Sequence, residues 1–267
     1  MPKLSIITIN YNNAEGLKKT IDSVVNQSSP DFEYIVIDGG STDGSDEIIR
    51  TYQDKLAYWI SEPDRGIYHA MNKGIRQANG EFCQFLNSGD YLVSPDVTEQ
   101  MLRGLPNCSI AYGNEVRQIN GKRLVERGYS GRQITLMDMY RSTISHSSAY
   151  IKRSLFEQYG LYDESLKIVS DWKFYLITVG IHNEKVIYRD VDVAFFDLTG
   201  ISNSNKELDK KERIEVLNTT LSHSILPNYQ EFNLDGIIIR RLKRNRLAWF
   251  MILNTYRLLF RLDKLRA

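Results

Sequence analysis

The chain has 267 residues, 25% of them charged and 42% hydrophobic, with 34 Lys and Arg against 33 Asp and Glu. That length suits one α/β domain with an appendage, and 16 Tyr with 10 Phe exclude a disordered chain. Two cysteines, Cys83 and Cys108, make neither a disulfide framework nor a four-ligand zinc site by themselves, which favours a reducing, cytosolic setting.

In chain order, Leu4–Ile9 reads as a buried strand and Ala14–Asn26 as a helix with Leu17, Ile21, Val24 and Val25 on one face. Strands are expected at Tyr34–Ile37, Ala57–Ile60 and Glu81–Leu86, alternating with helices at Ser45–Tyr52 and Gly66–Ala78. Such alternation argues a parallel sheet covered by helices, with ligands beyond the carboxyl ends of the strands. Shorter strands follow at Ile110–Tyr112, Glu115–Ile119 and Arg123–Glu126, the last two joined by the hairpin signal Asn120-Gly121. Strands at Ser148–Ile151 and Val186–Tyr188 flank a helix at Trp172–Val179. A helical pattern runs from Leu208 to Leu226, and the breaker-containing Pro227–Asn233 sets off the C-terminal tail.

Three strand ends carry chemistry. In VIDGGSTDGS, Asp38 ends a strand and Gly39-Gly40 let a flat ligand approach the backbone; the segment reads equally as a βα turn with Asp43 as helix N-cap. In FLNSGDYL, Asn87 and Asp90 offer hard oxygens suited to Mg²⁺ or Mn²⁺, although Asn-Ser-Gly-Asp is also a plausible turn. In EPDRGIYHAMNKGI, Asp64 and Arg65 precede a helix start, where an arginine partners phosphate or carboxylate, and Tyr68, His69, Asn72 and Lys73 follow on the helix. The alternative is a loop with a surface ion pair. A dinucleotide-binding dehydrogenase is disfavoured, because Asn10-Tyr11-Asn12-Asn13 stands where G-x-G-x-x-G would follow the first strand.

Taken in order with SIITINYNN at the first strand, these segments resemble the inverting family 2 glycosyltransferases of the GT-A fold, of the kind that builds bacterial surface polysaccharides. The likeness covers residues 1–95 and continues more weakly to about residue 205. It implies an α/β GT-A domain over 1–205, with a Rossmann-like nucleotide-sugar-binding half (1–95), an acceptor-side half (96–205) and a mixed central sheet. Residues 206–267 form a C-terminal helical region. By position the nucleoside falls to Thr8, Asn10, Tyr11 and Asp38, with Asp64 and Arg65 joining the nucleotide-sugar site. Gly39 replaces a second aspartate that often contacts uracil, so the expected UDP-sugar donor is less firmly marked. The Asp-x-Asp-like metal site falls on Asp90, supported by Asn87. The general base of an inverting transfer falls on Asp171 in KIVSDWKFYL, whose other reading is a plain N-cap. His146 in ISHSSAYI and Trp172 belong to the acceptor side, lining the sugar pocket and stacking on a sugar; both also read as ordinary structural residues. Gly200-Ile201-Ser202 resembles a loop that closes over the donor. The acceptor is expected to be a glycan or a polyprenyl-diphosphate-linked sugar, in O-antigen, capsule or exopolysaccharide assembly. A non-catalytic, membrane-tethered nucleotide-sugar-binding module is the rival.

The near-zero net charge hides an asymmetry. Residues 235–267 hold nine basic side chains and two acidic ones, so the tail carries +7 and the preceding 234 residues −6. Apolar residues recur there at helical spacing (Leu247, Phe250, Leu253 or Asn254, Leu258), as in a cationic amphipathic helix lying on an anionic membrane. Packing on the catalytic domain, homodimerisation and nucleic-acid binding compete, but an acidic remainder disfavours nucleic acid. No signal peptide is expected, because Met1-Pro2-Lys3 leads straight into a strand. The longest apolar run, Leu247–Leu253, falls far short of the roughly 20 residues that span a bilayer. The expected location is the cytoplasm, peripheral on the inner face of the cell membrane.

Overall fold

A computed structural model describes residues 1–198 and 205–266. The chain divides into two compact units, Met1–Ile214 and Glu215–Ala267. The expected boundary after residue 205 precedes this division, which falls inside a helix, Lys206–Thr220. The first half of that helix belongs with the sheet domain because Glu212 is buried there against the backbone of residues 167–169.

The first unit starts with β1 (Leu4–Asn10), buried along its whole length. A strand covered on both faces needs a near-continuous apolar run, which Leu4, Ile6, Ile7 and Ile9 supply. Helix α1 (Ala14–Val25) returns over the sheet and buries Leu17, Ile21 and Val24, and Asn13 caps it by accepting the Gly16 N–H at 3.1 Å. Next come β2 (Phe32–Asp38), α2 (Ser45–Thr51), β3 (Tyr58–Ser61), α3 (Ile67–Gln77) and β4 (Phe82–Phe85). Strands β3, β2, β1 and β4 lie side by side in parallel, so their carboxyl ends share one edge.

The second half of the sheet is mixed. It consists of β5 (Tyr91–Leu92), α4 (Val97–Leu102), β6 (Ile110–Ile119), β7 (Lys122–Glu126), α5 (Leu136–Arg141), β8 (Ala149–Lys152), α6 (Ser154–Tyr159), α7 (Ser170–Tyr175) and β9 (Val186–Phe195). Helix α7 runs on as a π-helical turn, Leu176–Ile181. The sheet has nine strands in the order β3-β2-β1-β4-β8-β6-β9-β5, and β7 pairs with β6. Strand β8 is antiparallel to β4, with Cys83 opposite Ile151. The residues just before β8 therefore sit beside the residues just after β4. The expected hairpin forms, with Asn120 and Gly121 at φ of 51° and 75°, the doubly positive pair of a tight primed turn.

Several elements differ from expectation. The strands expected at 110–112 and 115–119 are one, because the register against β9 shifts between Tyr112 and Asn114 and absorbs the interruption. The strand at 186–188 extends to Phe195; Asp190 and Asp192 interrupt its apolar pattern, but Asn114 bonds both carboxylates. Elements β5, α4, α5 and α6 have six residues or fewer, too short to set up a periodicity.

The second unit takes up α8 (Lys206–Thr220) from Glu215 and continues with α9 (Leu226–Arg244) and α10 (Arg246–Arg266). Pro227 was expected to break the chain; it sits instead in the first turn of α9, where a missing N–H costs nothing.

A buried polar pair tests the packing of the first two strands. The Thr8 and Tyr34 hydroxyls lie 2.9 Å apart, both inside the core. Tyr34→Phe strips Thr8 of its partner and is expected to cost about 1–2 kcal/mol in urea denaturation; an unchanged midpoint would refute the pairing.

Candidate active site

The carboxyl edge of the parallel strands gathers most of the expected residues. Asn10 and Asp38 are register partners at the ends of β1 and β2, and Ser61 ends β3 beside Asp38. Asp38 is fully buried and accepts from Asn10 Nδ2 (2.7 Å), Ser41 Oγ (2.6 Å), Ser41 N (2.9 Å), Gly40 N (3.2 Å) and Ser61 Oγ (2.6 Å). Burial raises its pKa, but these donors outweigh burial and hold it below the usual carboxylate range. Asp38 itself turns inward, with its oxygens organising the Gly39–Ser41 turn. Thr8 is likewise buried under the edge. Tyr11, 67% exposed, and Asp64 are what the edge presents. Asp64 Oδ1 accepts the Gly66 N–H at 2.8 Å, while Oδ2 lies 2.6 Å from where a Gly39 Cβ would stand. Arg65 is exposed and pairs with Glu164 at 2.6 Å. Of the helix residues that follow, Asn72 is buried on the backbone of Tyr162, a bracing contact.

The second cluster follows β4. Asn87 and Asp90 lie on a turn held from α1: Thr20 Oγ1 donates to the Asp90 carbonyl at 2.6 Å and accepts the Gly89 N–H at 3.0 Å, and Asn13 Nδ2 donates to the Ser88 carbonyl at 2.9 Å. Gly89 has φ of 107°, and a Cβ there would meet Asp197 Oδ2 at 2.7 Å. Asp90 is 2% exposed; Oδ1 accepts the Asp197 N–H at 2.8 Å, and among the described residues Oδ2 has no hydrogen-bond partner. Asn87 Oδ1 is also buried and unpartnered. Both residues flank the same imidazole nitrogen, with His146 Nε2 3.3 Å from Asn87 Nδ2 and 4.0 Å from Asp90 Oδ2.

His146 joins this turn to the acceptor side. It precedes β8, which the antiparallel pairing with β4 places beside Asn87. Its Nδ1 lies 3.3 Å from Asp171 Oδ2. Asp171, in the first turn of α7, also lies 2.8 Å from the Tyr68 hydroxyl. Burial alone would lower the His146 pKa, yet Asp171, Asp90 and Glu115 together raise it. Burial would raise the Asp171 pKa, but the His146 hydrogen bond and charge, with Tyr68 and the Trp172 N–H, lower it. Asp90 is different: burial dominates, and its carboxyl is pushed up to about 7.

Sequence reasoning missed two contributors, Glu115 and Thr20, and gave Tyr68 a different partner. Glu115 is buried beside the Ser145 hydroxyl and the Arg117 guanidinium, in a strand whose pattern gave no hint of a site. Thr20 looked like an ordinary helix residue, and Tyr68 acts on Asp171 rather than on a ligand. Trp172 is corrected too: it is 1% exposed, its Nε1 donates to the Met139 carbonyl at 2.6 Å, and the Arg213 guanidinium covers its ring at 4.4 Å. No face is left for a sugar. The expected donor loop, Gly200-Ile201-Ser202, lies outside the described residues. Among the described residues no group of three or more His, Cys, Asp or Glu side chains is placed to hold a metal ion. The orphaned oxygens of Asp90 and Asn87 are nevertheless the hard donors that Mg²⁺ or Mn²⁺ takes, with water and diphosphate able to complete its shell.

A parallel nucleotide-binding half fused to a mixed acceptor-side sheet, with carboxylates along the carboxyl edge, is the architecture of a GT-A glycosyltransferase. The family model for glycosyl transferase family 2 matches residues 5–160, and the chain belongs to that family. It is 34% identical over 206 residues to an uncharacterised glycosyltransferase of Mycobacterium tuberculosis, covering 76% of this chain and 78% of that one. A PGL/p-HBAD biosynthesis glycosyltransferase of Mycobacterium bovis is 27% identical over 219 residues, covering 79% and 84%. Among solved structures, Staphylococcus aureus TarS superposes with a TM-score of 0.64 at 21% identity, over 83% of this chain and 41% of TarS. A mannosyltransferase from Pyrobaculum calidifontis, in complex with GDP-Man and Mn²⁺, gives 0.60 at 17% identity, over 80% and 62%.

The Asp90 shift sets a test with a definite sign. Asp90 keeps its proton up to pH about 7 when folded but loses it near 3.9 when unfolded. Its ionisation therefore opposes folding increasingly between these values, by about 4 kcal/mol at most above pH 7. Asp90→Asn is expected to raise the melting temperature of the metal-free protein at pH 8 by several degrees, with the difference vanishing near pH 4. Equal melting of both proteins at pH 8 would refute this.

Proposed function

We propose that the protein transfers a sugar, with inversion, from a nucleotide-sugar to a glycan or lipid-linked acceptor in bacterial surface-glycan assembly, with a UDP-sugar as donor. The observation that supports this reading is the line Asp90–His146–Asp171–Tyr68, in which His146 Nε2 lies 4.0 Å from Asp90 Oδ2, His146 Nδ1 3.3 Å from Asp171 Oδ2 and the Tyr68 hydroxyl 2.8 Å from Asp171 Oδ1. Asp171 takes the proton of the acceptor hydroxyl as that oxygen attacks the anomeric carbon from the face away from the nucleotide. Its lowered pKa keeps it ionised near neutrality, and Tyr68 and His146 fix its two oxygens in direction. Tyr11 and Asp64 hold the nucleoside, above the turn that Asp38 and the buried Asn10 organise. Arg65 lies at the rim of the same site.

Asp90 and Asn87 would hold Mn²⁺ or Mg²⁺. When bound, such a cation neutralises charge on the departing nucleoside diphosphate. A donor carrying UDP accords with one structural neighbour, TarS residues 1–349, solved in complex with UDP-GlcNAc at a TM-score of 0.61. A role in glycan assembly accords with the PGL/p-HBAD biosynthesis glycosyltransferase of M. bovis.

For the tail we propose attachment to an anionic membrane surface, which places the enzyme on the cytoplasmic face. Among the described residues no helix is long and apolar enough to cross a membrane. Helix α10 instead leaves Leu247, Phe250, Met251, Leu258 and Leu259 exposed, and exposed apolar surface of that extent marks an interaction site. Arg246 and Arg257 lie on the same helix.

Asp171→Asn is expected to lower the transfer rate by about 10²–10⁴-fold, while nucleotide with Mn²⁺ still raises the melting temperature. Near-normal transfer would remove Asp171 as base. Because α9 runs unbroken past residue 233, truncation is best placed after Asn245. Loss of co-sedimentation with phosphatidylglycerol vesicles supports the membrane reading; undiminished co-sedimentation overturns it.

A further inference from the structure

The backbone that leads into Asp171 has no side-chain cap of its own at the start of α7. The helix is capped by Val169, which has no side-chain acceptor, and it begins on a loop that runs from Tyr162. The donors that would otherwise be orphaned there are taken by one side chain from a distant part of the sequence. Glu212 on α8 is only 6% exposed, and its carboxylate accepts three successive backbone N–H groups, from Lys167 at 2.8 Å, Ile168 at 2.9 Å and Val169 at 3.3 Å. Burying a carboxylate is costly unless it is fully hydrogen-bonded, and here the backbone supplies the bonds.

The next residue holds the other side of the base. Arg213 lies over the Trp172 ring at 4.4 Å and is itself tethered to Asp209 at 3.0 Å. Consecutive residues of α8 thus grip the backbone two to four positions before Asp171 and the ring one position after it. The Ile168 carbonyl, on the same gripped segment, lies 2.5 Å from the Tyr68 hydroxyl, which in turn lies 2.8 Å from Asp171 Oδ1. A shift of residues 167–169 therefore reaches the Asp171 carboxylate by two routes, along the chain and through Tyr68.

We propose that Glu212 is a positioning residue for the Asp171 base, setting its direction toward the acceptor by clamping the backbone ahead of α7. This rests on the assignment of Asp171 as base. Glu212 touches neither donor nor acceptor; it acts on the approach geometry, where displacement of about 1 Å costs up to roughly 100-fold in rate.

The test is a double-mutant cycle on the full-length enzyme, with folding followed by thermal melting. Glu212→Gln keeps the side-chain length but turns one acceptor oxygen into a donor facing N–H groups. It is expected to lower kcat by about 10- to 100-fold with the donor KM within about twofold. Glu212→Asp, which keeps both acceptors on a shorter stem, should recover part of kcat. The decisive arm is Glu212→Gln in the Asp171→Asn background, where no further loss is expected because the residue it positions is gone. Three outcomes overturn the proposal: an unchanged kcat, a raised donor KM at constant kcat, or a full multiplicative loss in the double variant. If Glu212→Gln fails to fold, Glu212→Asp alone and with Asp171→Asn is read by the same criteria. Normal transfer by Asp171→Asn alone defeats the base assignment, a separate result from any failure of the clamp.

Discussion

One imidazole joins the two halves of this enzyme. His146 faces Asp90 and Asn87 with one ring nitrogen and Asp171 with the other, so the turn after β4 and the start of α7 share a side chain. The arrangement depends on sheet topology. Only because β8 runs antiparallel to β4 does the segment before β8 lie beside the turn after β4. Glu115 reaches the same place because β6 pairs antiparallel with β8 on the far side. The reversal of direction at β8 is thus what turns a nucleotide-binding half-sheet into a site with two faces.

The electrostatics follow from that crowding. Three carboxylates act on His146, Asp171 and the buried Asp90 and Glu115, and together they raise its pKa against the effect of burial. Asp171, with His146 and Tyr68 beside it, is lowered, whereas Asp90, whose Oδ2 has no donor among the described residues, is pushed up to about 7. Two neighbouring carboxyl groups take opposite shifts because donors meet both oxygens of Asp171, whereas a single backbone N–H meets Asp90. The orphaned oxygens of Asp90 and Asn87 mark a place built at the expense of stability, as sites for charged ligands commonly are.

Much of this was legible in the sequence, and the physics says which parts. Buried parallel strands and amphipathic helices impose periods long enough to read, and the first four strands lay close to where their patterns put them. Asp90, His146 and Asp171 were singled out as candidates, and the structure brings all three together. What could not be read were contacts between segments far apart in the chain: Glu115 against Ser145, Thr20 under the Asp90 turn, and Glu212 on residues 167–169. None leaves a local signature. Trp172 and Asp38 were placed correctly along the chain but assigned outward-facing roles, because no sequence pattern tells whether a polar or aromatic group at an element's end points to ligand or to core.

Two glycines carry a consequence of their own. The space a side chain at position 39 would fill is taken by the carboxylate of Asp64, and that of position 89 by the carboxylate of Asp197. At both strand ends negative charge stands where a neighbouring residue might have carried it, delivered by a different loop. A side chain at position 39 requires the Asp64 carboxylate to swing aside, whereas at position 89 the φ of 107° strains any side chain even if Asp197 withdrew. The first site can thus exchange which residue carries its carboxylate, and the second is fixed by its backbone.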